Sequence, residues 1–175
     1  SQVLVQHNSA VSAGSGYLYF VPRTMFTEGE QFPHDRVQKV KVIYSDGNNK
    51  KYPELISNAE EFMSAITDSG NIAKHYVILS TIDLNGYTFE KVKALTGSIS
   101  GGSQAAKLIN VNLNINKTSY SINNIGLFPK IEATGELNNL VIEGSINIDI
   151  GNLGESKTYN IGLVAGENLG AINNV

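Results

Sequence analysis

The chain carries three histidines, His7, His34 and His75. They stand far apart, and none has a second imidazole four residues away. The H-E-x-x-H arrangement, in which one helical turn brings two imidazoles onto one zinc ion, is therefore absent from the sequence. Cysteine is missing altogether, which removes thiolate nucleophiles, disulfides and thiolate metal sites. Carboxylates are better supplied where strands are expected: Asp83, Glu132, Glu136, Glu143 and Asp149. Acid–base cleavage of a polysaccharide needs two or three of them on one face. Glu136 and Glu143 flank a single strand segment, but no basic partner is evident in the sequence, and they read as solvated positions. Asp83 reads as a turn or cap residue.

The remaining spacings point to structure as well. No G-x-x-x-x-G-K-[ST] phosphate loop occurs. Gly162, Gly166 and Gly170 are spaced by four, as in helix packing, yet the Asn and β-branched residues around them favour corners between strands. Asp46-Gly47-Asn48-Asn49 lacks the EF-hand spacing and its distal Glu, and reads as a hairpin turn. Asn116-Lys117-Thr118 is a glycosylation sequon read as chance, and Ser119 and Ser121 flank Tyr120 in a polar loop with no His nearby. These residues predict no catalytic, cofactor-binding or metal site.

Composition bounds the partners. The chain has 175 residues, a net charge of −3 and no basic block. Phosphate binding needs clustered Lys and Arg, so nucleic acid is not an expected partner. Charged residues make up 17%, against a usual share of about 25%; Asn, Ser and Thr supply the missing polarity. Lys50-Lys51 is the densest basic spot and sits beside a turn signal. No apolar run approaches the roughly 18 residues that span a bilayer, so membrane insertion is not expected. Ser1-Gln2-Val3 lacks the charged start of a signal peptide. The last residues, Asn173-Asn174-Val175, lie inside a repeat, so the sequence reads as an excised fragment whose partners include the rest of its parent chain.

The elements are read from periodicity. Residues 1–55 read as a β-rich segment. Val3-Leu4-Val5 and Tyr17 to Val21 are short apolar runs; Pro22, Gly29 and Pro33 break the stretch before the next strand. Val37 to Tyr44 alternates with a period of two, and Lys51-Tyr52 is expected to return as the second arm of a hairpin. Residues 57–68 predict the one helix, capped by Asn58 or Ser57, with Glu60 and Glu61 in its first turn. Ala59, Phe62, Ala65 and Ile66 form its apolar stripe, and Gly70 is expected to end it as a C′ glycine.

From residue 75 onward short β-branched runs alternate with Gly and Asn: His75 to Leu79, Ala106 to Ile115, Ile125 to Ile131, Leu137 to Ile142, Ser145 to Ile150, Tyr159 to Ala165 and Ala171 to Val175. The stretch repeats itself. Asn124-Ile125-Gly126-Leu127-Phe128 leads to Gly135-Glu136-Leu137-Asn138-Asn139-Leu140. Asn160-Ile161-Gly162-Leu163-Val164 leads to Gly170-Ala171-Ile172-Asn173-Asn174-Val175, with Leu108-Ile109-Asn110-Val111 as a partial echo. A repeat of this size means stacked units that bury a shared core. The expected fold is mainly β: a right-handed parallel β-helix or solenoid over residues 56–175, with one N-terminal capping helix. Asn residues at equivalent corners should form amide ladders.

The run Gly162-Leu163-Val164-Ala165-Gly166-Glu167-Asn168-Leu169-Gly170-Ala171-Ile172-Asn173-Asn174 resembles the GLUG repeat of bacterial surface proteins, with Ala165 as an additional residue before the second glycine. The lead-in Tyr76-Val77-Ile78-Leu79 and Ile82-Asp83-Leu84-Asn85-Gly86-Tyr87 is similar to the strand that precedes such repeats. Phe89 and Thr96-Gly97-Ser98-Ile99-Ser100-Gly101-Gly102 stand where the family has F-x-G-x-F-D-G-N-G, but Ser100 and Gln104 or a neighbour replace its Asp and His. Gly126-Leu127-Phe128 and Leu137-Asn138-Asn139-Leu140 match further pieces. The resemblance marks Gly126, Leu127, Phe128, Asn139, Gly162, Leu163, Gly166, Gly170, Ile172 and Asn174 as repeat-forming structural positions.

It implies a secreted or cell-wall-associated bacterial protein, with a non-catalytic role in adhesion or as a spacer and a host protein or glycan as partner. Such repeats also precede the catalytic domain of streptococcal immunoglobulin A protease-type zinc metallopeptidases. An accessory, substrate-positioning domain is therefore the alternative, with any zinc site outside these residues. A carbohydrate-active β-helix enzyme is a third reading. Residues 1–55 match no motif.

Overall fold

The computed structural model describes residues 14–20, 38–102, 106–115, 123–149 and 158–175. The chain divides into two compact units, Ser1–Asp46 and Gly47–Val175. The division expected at 55/56 falls inside a strand of the second unit.

In the first unit, β1 (Gly14–Phe20) pairs antiparallel with β2 (Gln38–Tyr44), from Gly14 opposite Tyr44 to Phe20 opposite Gln38. The alternation seen in Val37 to Tyr44 thus finds its partner upstream, not in Lys51-Tyr52. That return arm is too short to compete: Pro53 follows it without an N–H to donate. Tyr52 makes only a single bridge to Asn49. The run Val3-Leu4-Val5 and the prolines 22 and 33 lie outside the described residues.

The second unit is built of parallel sheets. One has five strands: β3 (Glu54–Ile56), β4 (His75–Ile78), β6 (Ser98–Gly101), β10 (Glu136–Asn138) and β14 (Ala171–Asn173), neighbours in that order. A second joins β5 (Thr81–Asp83), β7 (Lys107–Ile115) and β11 (Val141–Ile148). Two further pairs are β8 (Asn124–Ile125) with β12 (Asn160–Ile161), and β9 (Phe128–Ile131) with β13 (Ala165–Asn168). Every ladder within this unit's sheets is parallel.

The register explains how short strands become stable. Tyr76, Ile99, Leu137 and Ile172 lie opposite one another across four strands. Ile82, Leu108 and Ile142 form a second apolar row, and Ile125 with Ile161 a third. All of these except Ile172 lie in or against one core that also holds Phe62, Ile66, Ile78, Leu84, Leu95, Leu127 and Phe128. Burying each such side chain is worth about 1.5–3 kcal/mol, so no two- or three-residue strand stands alone.

Several apolar runs that the sequence reads as single strands are broken at corners. Ile125 to Ile131 parts at Gly126-Leu127, Leu137 to Ile142 at Asn139-Leu140, and Tyr159 to Ala165 at Gly162 to Val164. Apolar side chains at the breaks still point inward: Leu127 and Leu140 are buried. In β7 the chain instead bulges, with Ile142 opposite Leu108 but Gly144 opposite Val111. Asn110, between those positions, takes the left-handed conformation, φ 60°.

Helix α1 (Ala59–Thr67) follows β3. Asn58 caps it, its Oδ1 accepting from the Glu61 N–H at 2.9 Å, while Glu61 Oε2 accepts from Ser57 N–H at 2.8 Å. Phe62, Ala65 and Ile66 are its buried face. Its end differs from the C′ glycine expected. Asp68 is the cap, in an extended conformation, and its Oδ1 accepts from the N–H groups of Gly70 and Asn71. A carboxylate turn thus does the work that a left-handed Gly70 would have done.

Candidate functional site

Three polar features decorate the parallel sheets. The first crosses the five-stranded sheet, where register places His75, Ser98, Glu136 and Ala171 in one row. His75 Nδ1 lies 2.8 Å from Ser98 Oγ. Lys50 Nζ donates to both oxygens of Glu136, at 2.5 and 2.6 Å, and Asn138 Nδ2 donates to Glu136 Oε2 at 3.4 Å. The Lys50 ammonium, the largest influence, holds the Glu136 carboxyl below its ordinary range. A basic partner for Glu136, not evident in the sequence, is therefore present, brought from 86 residues away.

The Ser–His separation is that of a nucleophile and its base. The rest of the geometry is different. The carboxylate of the row is engaged by Lys50 and Asn138 instead of orienting the imidazole, and Ser98 is only 4% exposed. Its hydroxyl satisfies a polar position that the sheet buries.

The second feature is the outer face of the β5–β7–β11 sheet. Asp83 Oδ1 accepts from Asn85 N–H at 2.9 Å, as a turn-forming residue does, and from Asn110 Nδ2 at 2.8 Å. The Asn110 amide, then the Asn85 N–H, keep the Asp83 carboxyl below its usual value. Lys107 Nζ donates to Glu143 Oε1 at 3.0 Å, so Glu143 too has a basic partner that the sequence did not reveal. Ser145 Oγ donates to Asn112 Oδ1 at 2.8 Å. Beside these, Tyr87, Thr88, Glu90, Asn112 and Asn114 line a small depression of about 30 Å³. Amides, a carboxylate and a tyrosine ring in one shallow place suit a hydroxyl-rich or peptidic ligand.

The third feature is the set of amide ladders. Asn160 Nδ2 donates to Asn124 Oδ1 at 2.8 Å, Asn173 Nδ2 to Asn138 Oδ1 at 2.8 Å, and Asn174 Nδ2 to Asn139 Oδ1 at 3.0 Å. Asn124 Nδ2 turns to Glu167 Oε2 at 2.8 Å.

The repeat-forming positions fall on this frame. Gly126, Leu127 and Phe128 are buried, and Leu127 and Phe128 donate backbone N–H to the carbonyls of Leu163 and Val164. Ile172 lies opposite Leu137, and Asn139 and Asn174 form a ladder pair. Gly162 and Gly170 sit between strands. Gly166 does not: it lies within β13, where a side chain would collide with the backbone of Asn124 and Ile125. Close approach, rather than a corner, requires that glycine.

The other candidate carboxylates are dispersed. Glu132 pairs with Lys130 at 3.0 Å, and Asp149 follows the end of β11. His7, His34 and residues 116–121 lie outside the described residues. Among the described residues, no three His, Cys, Asp or Glu side chains come together as a metal would require, and no helix is long and apolar enough to cross a membrane. Two larger clefts lie elsewhere. One of about 400 Å³ is bounded by β3, α1, Asn71 and Tyr76; one of about 490 Å³ runs past Gly101, Gly102, Asn139 and Asn174.

The chain matches no protein-family model, no curated protein and no solved structure.

Proposed function

We propose that this chain is a non-catalytic structural and recognition module, a stacked parallel β coil that serves as a spacer or adhesion surface of a secreted or cell-wall-associated bacterial protein. The observation that carries the reading is the recurrence of parallel partners about one repeat apart. Asn124 meets Asn160, Phe128 meets Ala165, Leu137 meets Ile172 and Ile142 meets Leu108. Parallel pairing at this offset supports a solenoid, in which the chain returns to the same place after each repeat. Right-handed coiling is the sense that parallel crossovers favour, and α1 would cover the apolar end nearest β3. The likeness of residues 56–175 to GLUG repeats supports a bacterial surface location.

A solenoid offers long faces made of aligned rows, which suit extended partners. The Asn- and Ser-bearing face of β7 and β11, with Tyr87 at its side, is the surface for a host glycan or protein. The test is saturable binding of the full chain to arrayed host glycans and matrix proteins. Asn114→Leu should weaken retained binding at least tenfold while leaving the fold intact. Cleavage of the bound partner by the purified chain would overturn the non-catalytic reading.

A further inference from the structure

The rows of the second unit change character at the strands of residues 141–175. Leu137 is 0% exposed but its partner Ile172 is 37% exposed; Leu113 and Ile115 are 1% exposed, while their partners Ile146 and Ile148 are 38% and 40%. Leu169 and Val175 are exposed beside them. Among the described residues, these rows are buried on one side of the stack and exposed on the other. The same strands, β11, β12, β13 and β14, are also the outer members of all four parallel sheets.

The backbone on that side is ready to pair. Ala171 N–H donates to Gly135 and Asn173 C=O accepts from Asn139. Alternate groups of a central strand point to opposite neighbours, so the Ile172 N–H and C=O face outward. The ladders end in the same sense. Asn160, Asn173 and Asn174 each direct their amide donors back to the preceding Asn. Each carboxamide oxygen is left as an acceptor for a donor on the far side.

Resting on the stacked-coil reading, we infer that this face is the docking template for one more parallel β tier of the same pattern. Its occupant carries aliphatic side chains over Ile146, Ile148 and Ile172, and Asn at the three positions that continue the ladders from Asn160, Asn173 and Asn174. An apolar face alone would accept any hydrophobic cover. Four sheet edges in one register, with three aligned amide acceptors, select a homotypic strand layer.

The experiment appends a second copy of residues 141–175 after Val175 of the full chain and monitors amide hydrogen exchange together with binding of the dye ANS. The Ile172 amide should slow at least a hundredfold and ANS fluorescence should fall. An appended copy whose three ladder Asn residues are replaced by Ala should recover less than half of that protection. An appended segment that stays unprotected, with Ile172 still exchanging freely, overturns the inference. So does an Ile172 amide already protected in the unextended chain together with concentration-dependent self-association, because a second copy would then be the cover. Throughout, the Ala171 and Asn139 amides report on the existing stack. If they exchange freely, the stacked reading itself has failed, whatever the appended tier does.

Discussion

Asn174 donates its side-chain amide to Oδ1 of Asn139, 35 residues earlier, at 3.0 Å, and both residues take the left-handed conformation, with φ of 54° and 51°. One residue type answers two demands at this pair of corners. Asn tolerates positive φ better than other non-glycine residues, and its carboxamide both donates and accepts, so identical corners bond to one another. Asn139→Ala should cost about 2 kcal/mol, one part from the left-handed backbone and one from the lost hydrogen bond. Asn139→Gly keeps the backbone and should cost about half as much. Urea unfolding of the two variants measures the difference; equal losses would remove the backbone from the explanation.

Close backbone approach makes a sharper prediction. A side chain at Gly97 would meet the carbonyl of Lys74 and the backbone of Ala73, whereas at Gly86, φ 83°, nothing lies within 4 Å. Gly97→Ala should destabilise by about 3 kcal/mol, the upper range for overpacking. Gly86→Ala carries only the conformational penalty of about 1–2 kcal/mol. Thermal unfolding of both variants ranks them.

The core is expected to behave as one unit. Phe128 is fully buried beside residues drawn from several sheets. Phe128→Ala should lose about 3–5 kcal/mol. Unfolding of the second unit should remain a single transition when followed by NMR at amides from its several sheets.

Two of the shifted groups give opposite pH dependences. Burial, then the carboxylates of Glu54 and Asp68, push the Tyr76 phenol from 10.0 to about 12, while its hydroxyl donates to Asn71 C=O at 3.1 Å. The unfolded phenol ionises first. Stability is therefore intact below pH 10 and falls as pH rises toward 12; Tyr76→Phe should flatten that decline. The Glu136 carboxyl is lowered by Lys50, which has the opposite sense. Its contribution holds above the ordinary value of 4.5 and is lost as pH falls through the lowered one. The pair is partly exposed, Lys50 more than Glu136, so Lys50→Met should cost at most about 1 kcal/mol at neutral pH and raise the Glu136 titration midpoint measured by NMR.

The features legible in the sequence were local or periodic. The helix with its Asn58 cap, the β-branched runs and the paired Asn-Asn corners are written in adjacent residues, and the one-repeat offset of Asn124 and Asn160 is visible by eye. Where strands end was less legible. Leu137 to Ile142 reads as one strand, and the left-handed Asn139 breaks it. The contact between His75 and Ser98 spans 23 residues and that between Lys50 and Glu136 spans 86. The first arises from sheet register, which a one-residue slip would abolish, and the second joins a turn residue to β10, so neither has a local signal. Gly70 misled because a C′ glycine and an Asp-stabilised turn share the same neighbouring residues.

Stacking in register is tested most directly by NMR couplings transmitted through hydrogen bonds. A parallel coil predicts couplings from Ala171 N to the Gly135 carbonyl, from Gly162 N to that of Ile125, and from Asn139 N to that of Asn173. Finding all three fixes the one-repeat return of the chain. Finding those amides coupled instead to sequence-near, antiparallel partners would contradict it.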